Sequence, residues 1–321
     1  MYDFSMVATA SSYRTPVRII PQTEVANNLD FDFFAKVPCI FAPYIPMDKS
    51  RGITARLIND MIARARAEGY NEASAEAKVC QDIILLLISK SALNRNITVK
   101  GGVVMRSISH DARRATQDID LDFIRYSLQD ESILAFVDKL NGVGDVLIRV
   151  TGAIEELRQQ DYHGKIIHVM ITDTDGTVLV SKIDLGVHKH FDIEQEDFCF
   201  DVGMDDGGAS LLINSKEQML TEKLRSILKF GPFSTRYKDI FDIYYLCGLV
   251  DREKLKHCMD TLIFSDPGMK ENDIAGVLRR VTETFKNQTY LSRLKTSRKN
   301  WLDGDLETVL KGIIDYLNAF T

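Results

Sequence analysis

Apolar residues recur every three or four positions between Arg51 and Glu68, at Ile53, Leu57, Ile58, Met61 and Ile62, which predicts a helix stopped by Gly69. Glu72 to Ser91 predicts a second helix. Its last turns, Ile83 to Ile88, are apolar on every side and so predict burial. The period then changes. Asn96 to Lys100 (NITVK) is short and β-branched and runs straight into Gly101-Gly102, and Val103 to Ser109 reads as the helix leaving that turn. Asp118 to Ile124 (DIDLDFI) alternates acid and apolar residues with period two, so it predicts a strand with one acidic and one apolar face. Helices are predicted over Asp130 to Leu140 and over Gly152 to Gln160. Lys165 to Thr172 and Thr177 to Leu185 predict strands joined through Asp173-Thr174-Asp175-Gly176, a hairpin signal because Gly tolerates positive φ.

Beyond Gly207-Gly208 the pattern is helical: Ser215 to Lys229, Lys238 to Leu249, Asp251 to Phe264, Asn272 to Lys286 and Asp305 to Phe320. The order of helices, strand-rich centre and helical half predicts an α+β fold, a mixed β-sheet with flanking helices followed by a C-terminal helical bundle. The expected domains are an N-terminal extension over residues 1–70, a core over 71–208 and a helical domain over 209–321, with Gly203 to Ser210 as the boundary. Five of the seven prolines precede residue 48, so the start of the chain reads as an irregular arm.

The 321 residues are 45% hydrophobic and 27% charged, which suits a chain with a sizeable core and excludes disorder as the dominant state. The longest aliphatic run, Ile83 to Ile88, is too short to cross a bilayer, and the first residues lack the basic start and apolar stretch of a secretory leader. A cytoplasmic location without membrane contact is therefore expected. Five cysteines without a CxxC predict reduced thiols rather than disulfides or structural zinc. The net charge of −6 argues against bulk adhesion to nucleic acid, but the charge is unevenly spread. Lys216 to Lys238 holds six Lys/Arg against two acids, and Phe285 to Leu302 holds five and no acid. Tyr290 and Trp301 in the second run offer stacking surfaces, so a polyanionic partner is expected.

The sharpest chemistry is Asp118-Ile119-Asp120. In a strand both carboxylates face one way, and a hard divalent cation relieves their repulsion. Lys100-Gly101-Gly102 stands between a predicted strand and a helix, where glycines let backbone N–H groups approach a phosphate. A third acid, Asp184, ends the second strand of the predicted hairpin and meets the first two if those strands are neighbours. Three acids clamping two metals is a known arrangement for in-line phosphoryl or nucleotidyl transfer. His188 and His190 flank Lys189 without further ligands nearby, which argues against a histidine metal site.

Lys100-Gly-Gly-Val-Val-Met-Arg106 followed by Arg114-Ala-Thr116-Gln-Asp118-Ile-Asp120 resembles the AbiEii/AbiGii toxin family of nucleotidyltransferases. The resemblance continues in Glu222-Lys223-Leu224 and in Arg236-Tyr-Lys238-Asp239-Ile-Phe-Asp242-Ile-Tyr244, and covers about residues 75 to 250. It implies a minimal nucleotidyltransferase core of the polymerase β-like kind, with NTP and Mg²⁺ or Mn²⁺ as ligands. It implies the toxin role in a bacterial toxin–antitoxin or abortive-infection pair, with a cognate antitoxin protein and an RNA acceptor, the tRNA 3′ end. Asp118 and Asp120 match the metal pair, with Asp184 as third ligand. Lys223 matches the lysine at the triphosphate, and Lys238, Asp239 and Asp242 match the later charged motif. The expected catalytic set is thus Asp118, Asp120, Asp184, Lys223 and Asp242. The expected nucleotide contacts are Lys100, Gly101, Gly102, Arg114, Thr116, Lys223, Lys238 and Asp239.

Val103 stands where the family commonly has a small hydroxyl residue. That departure motivates an alternative, a catalytically weak nucleotide-binding interaction protein acting through its helical half. A third reading, a glycosyltransferase using the DxD, lacks the larger Rossmann-like core it would need.

Overall fold

The computed structural model describes residues 58–141, 145–157 and 164–320. The expected N-terminal arm falls outside these residues as far as residue 57. The first described helix, α1 (Ile58–Ala67), packs on α2 (Glu72–Lys90). Asn71 caps α2, its side chain accepting from the Ser74 N–H at 3.0 Å, which satisfies a donor the helix itself leaves free. The apolar run predicted to be buried is buried, since Ile83, Ile84, Leu85, Leu87 and Ile88 are all at most 1% exposed. Their neighbours are strands of the central sheet.

That sheet has seven strands: β1 (Ile97–Lys100), β2 (Ile119–Phe123), β3 (Val146–Glu156), β4 (Lys165–Asp173), β5 (Val178–Val187), β6 (Gln195–Val202) and β7 (Asp205–Asn214). Their order is β3-β4-β5-β2-β1-β7-β6. β2 runs parallel to β5 and β1 parallel to β7, while the remaining neighbours are antiparallel, so the sheet is mixed. Two helices are inserted among these strands, α3 (Gly101–Ser109) against β1 and β2, and α4 (Asp130–Leu140) against β3. The alternation in DIDLDF does what its period requires: Ile119, Leu121 and Phe123 enter the core at 0% exposure.

Past the sheet come α5 (Lys216–Phe230), α6 (Tyr237–Cys247), α7 (Arg252–Met259), α8 (Ile274–Lys286), α9 (Gln288–Thr296) and α10 (Leu306–Asn318). Ser215 caps α5 by accepting from Gln218 N–H, and Asp251 caps α7. A π-helical turn, Asp260–Phe264, continues α7. α5 packs against α6, α7 and α8, and α10 against α6 and α8. The α+β architecture with a helical C-terminal half is the one expected.

Several elements differ from expectation. Residues Gly152 to Gln160 were expected to be helical, but as far as Glu156 they form the end of β3. Pairing with β4 overrides the local pattern there, and a bulge between Thr151 and Glu155 absorbs Gly152, whose φ is +74°. β6 and β7 had no predicted counterpart. The expected boundary at 208 falls inside β7, a strand bonded on one side to β1 and on the other to the edge strand β6. Gly208 looked like a linker but serves a close approach instead: at φ +68° a β-carbon would lie 2.7 Å from the Phe200 carbonyl oxygen on β6. The middle of the second basic run is helix α9, which buries Tyr290 (0% exposed), while Trp301 near the end of the run is 4% exposed. Neither ring is a stacking surface. The four described cysteines, Cys80, Cys199, Cys247 and Cys258, are free thiols. No described helix is long and apolar enough to cross a membrane.

Candidate active site

β1 ends at Lys100 and α3 begins at Gly101, so the glycine pair is the strand-to-helix turn that the sequence predicts. The turn lies directly on the acidic face of β2. Gly101 has φ +68°, and a β-carbon there would lie 2.3 Å from Asp120 Oδ2. At Gly102 a β-carbon would lie 2.4 Å from Thr116 Oγ1. Both positions therefore need glycine, one for backbone conformation and contact, the other for contact alone.

Asp120 is the Cα partner of Asp184 across the parallel pair β2–β5, so the two side chains leave the sheet on the same face. Asp118, just ahead of β2, shares that face by period and is 45% exposed. Lys182, also on β5, sets its ammonium between them, 3.2 Å from Asp118 Oδ2 and 3.0 Å from Asp184 Oδ1. The structure thus brings Asp118, Asp120 and Asp184 together with a lysine among them. Burial pushes the Asp120 carboxyl above its ordinary range; Lys100 opposes this, and the negative Asp184, Asp118 and Asp122 add to it. Burial works against the Lys182 ammonium, but Asp184 and Asp118 outweigh it and hold the pKa above the ordinary lysine value. Carboxylate oxygens crowded so that one resists ionisation are a donor set suited to a hard divalent cation. As the side chains stand, with the ammonium between them, no three acid, His or Cys side chains among the described residues converge on one cation position.

The sequence reading stopped at Asp118 and Asp120, but the period-two row of acids has a third member. Asp122 follows at the same period and is buried, with its Oδ1 2.7 Å from Lys100 Nζ. A β-carbon at Gly186, opposite on β5, would lie 2.1 Å from the same oxygen. Glu222 was overlooked although it precedes Lys223 in the quoted motif. Its Oε1 accepts from Gln218 Nε2 at 2.9 Å and from Asn214 Nδ2 at 3.3 Å, and burial pushes its carboxyl up. Period two was the available signal for Asp122; for Glu222 it was only adjacency to a basic residue.

A groove of about 660 Å³ lies between the acidic face of the sheet and the helical half; Asp120 lines it, while Asp118 and Asp184 do not. Lys100, Gly101, Asp120 and Asp122 form one wall, Glu222, Lys223 and Asp239 another. The π-helical turn after α7 also contributes, with Thr261 and Leu262 in the lining. Arg225 anchors that segment through the Leu262 carbonyl at 3.2 Å and an ion pair with Asp266. His188 and His190 line the groove as well, and burial holds His188 below its ordinary pKa.

The remaining motif residues are bonded to one another. Arg114 grips Asp242 with two hydrogen bonds, Nε to Oδ1 at 2.6 Å and Nη2 to Oδ2 at 2.7 Å. Trp301 Nε1 donates to the same carboxylate at 3.0 Å. Lys223 Nζ lies 2.8 Å from Asp242 Oδ2 and 2.8 Å from Asp239 Oδ1. Burial alone would raise the Asp242 carboxyl, but Lys223 and Arg114 more than offset it and hold it below the ordinary range. Lys238 donates to the Ala115 carbonyl at 2.8 Å, and burial, then Arg114 and Lys299, bring its pKa down to about 8. Arg114 and Asp242 are buried away from the groove, and neither Lys238 nor Thr116 lines it; Lys223 and Asp239 do.

Residues 83–301 match a family model described as nucleotidyl transferase AbiEii toxin, type IV TA system. Among solved structures, the chain is similar to an antigenic nucleotidyltransferase-like protein from Paracoccidioides brasiliensis, at 18% identity and a TM-score of 0.39. That alignment covers 74% of this chain and 93% of the other, a superposition too loose to bear on the site. No curated protein matches the sequence.

Proposed function

From the premise that the chain belongs to the AbiEii nucleotidyltransferase toxin family, we propose that it transfers a nucleotidyl group from an NTP to a hydroxyl of an RNA acceptor, the tRNA 3′ end, and that this is its toxic activity. One observation carries the reading. The in-register pair Asp120 and Asp184, beside Asp118, shares one face of the sheet, and of the three Asp120 borders a groove whose opposite wall presents Lys223. Acids that would hold divalent cations on one side and a lysine on the other suit a triphosphate, whose charge the cations and the lysine would neutralise from both directions.

Asp118, Asp120 and Asp184 would hold Mg²⁺ or Mn²⁺, with the Lys182 ammonium turning away from them. A cation held there would supply Lewis acidity toward the phosphates and offset the negative charge of the pyrophosphate. The Gly101 turn admits a phosphate close to the backbone at the start of α3. Lys223 is aimed by Asp239 and Asp242, so its ammonium is already ordered when the triphosphate arrives. The acceptor oxygen attacks the α-phosphorus as the bond to pyrophosphate breaks, and the hydroxyl proton passes to the Asp184 carboxylate. A cognate antitoxin would restrain this activity in the cell.

Incubating the protein with labelled NTPs, total tRNA and Mg²⁺ or Mn²⁺ should label RNA, and Asp120→Asn should abolish labelling. Failure of the wild type to label RNA under every NTP and metal condition would remove the reading. Expression should arrest bacterial growth, and Asp120→Ala should relieve the arrest. Val103 favours a second reading, because its side chain is fully buried and contributes no hydroxyl to the groove. A catalytically weak nucleotide binder would show NTP–Mg²⁺ binding by calorimetry without turnover.

A further inference from the structure

The aromatic residues expected to stack bases are interior, and the exposed rings lie elsewhere. Phe233 is 82% exposed and Phe230 44%. Phe230 precedes and Phe233 ends the short turn Gly231–Phe233 between α5 and α6, and Phe230, unlike Phe233, lines the groove together with Lys229 and Arg236. The turn is firmly held. Ser234 N–H donates to the Gly231 carbonyl at 3.0 Å, and Arg280 Nε donates to the Leu228 carbonyl at 3.3 Å. The Arg280 guanidinium so crowds Gly231, at φ +50°, that a β-carbon there would lie 2.6 Å from Nη2.

We propose that Phe230 and Phe233, flanked by Lys229 and Arg236, form the stacking platform for the unpaired 3′ end of the RNA acceptor at the mouth of the groove. This rests on the nucleotidyl-transfer reading for its choice of partner. Rings with cations at their side are the combination that holds single strands, bases on the rings and phosphates on the cations. A duplex keeps its bases stacked inside, so such a platform favours an unpaired end over a paired one. Two rings set among charges offer far too little apolar area for a stable protein interface. The anchored turn means that little ordering cost is incurred when a base arrives.

The test uses the full-length protein and two labelled RNA hairpins, one blunt and one with a four-nucleotide unpaired 3′ tail, followed by fluorescence anisotropy. Wild type should bind the tailed hairpin more tightly. The Phe230→Ala/Phe233→Ala double variant should lose about ten-fold in affinity for the tailed hairpin, with the blunt one unchanged. Phe233→Trp should retain tail binding, and Arg236→Ala should reduce the log–log salt slope by about 0.7. Circular dichroism of the double variant checks that the fold is intact. Equal tail binding by wild type and the double variant overturns the proposal, as does equal wild-type binding of both hairpins. A wild-type dimer in sedimentation that the double variant dissolves would assign the rings to a second copy and also overturn it. Ring-dependent tail binding by a wild type that transfers no nucleotide would sink the transfer reading and leave the platform standing.

Discussion

Asp242 is fully buried and is met by Arg114, Lys223 and Trp301. Replacing it with Asn strands two cations in a poorly solvated place, so Asp242→Asn is expected to cost about 3–5 kcal/mol in urea unfolding at neutral pH. Its carboxyl is held low in the fold, so the ion pairs stabilise fully above the ordinary carboxylate pKa. That contribution is lost as pH falls through the folded value, and the gap between wild type and variant should narrow there. Lys238 gives the same slope in a higher pH window, because its pKa is also lowered. With a folded pKa of about 8, it binds its proton less readily than the unfolded chain does between about pH 8 and 10.4. Stability from this group therefore rises with pH across that window, and Lys238→Met should flatten the rise. Lys182→Met leaves Asp118 and Asp184 without the ammonium between them. In metal-free buffer Tm is expected to fall by about 2–4 °C, while Mn²⁺ followed by electron paramagnetic resonance should bind more tightly. Unchanged Mn²⁺ affinity would detach the lysine from the acids' chemistry. At this scale the acids of β2 are legible because period two fixes their face. The pairing of Arg114 with Asp242 is not, because only the folded chain brings residues so distant in sequence together. Tyr290 misled because an aromatic among cations looks the same on either face of a helix, and the side facing inward is settled by neighbours the sequence does not name.

Among the elements, the strand-to-helix turn at Gly101 is the most demanding. Gly101→Ala would adopt a left-handed conformation, costing about 1–2 kcal/mol, and would push its methyl into Asp120. Thermal melts should register the modest loss, and labelled-NTP transfer should fall out of proportion to it because the carboxylate is displaced. α5 does the most positioning. Ser215 fixes its start, Lys223 and Glu222 face the groove, and Phe230 ends it at the mouth. Helices such as α2, α5 and α8 were legible because 3.6-residue periodicity is strong over three or more turns. β3 was misread because Ala153-Ile154-Glu155-Glu156 fits a helix locally, and its strand state comes from pairing with β4. β6 and β7 escaped because acids and glycines mask their alternation.

Over the whole molecule, the sheet and the helical half share one fabric. β7 lies inside the sheet, α5 follows it after a single residue, and the groove is walled by both halves. A fragment of residues 58–214 should therefore fail to unfold cooperatively in urea, whereas residues 58–321 should give a single transition. The α+β class was legible from the order of patterns. The groove was not, because it exists only where β2, α5 and the turn after α7 meet.

The clasp of Arg114 on Asp242 carries a consequence for inheritance. A recombination that grafted the helical half of one relative onto the sheet of another would succeed only if donor and recipient agreed at both positions. Drift at either residue is vetoed by the other, so the two stretches are bound to travel through descent as a matched set.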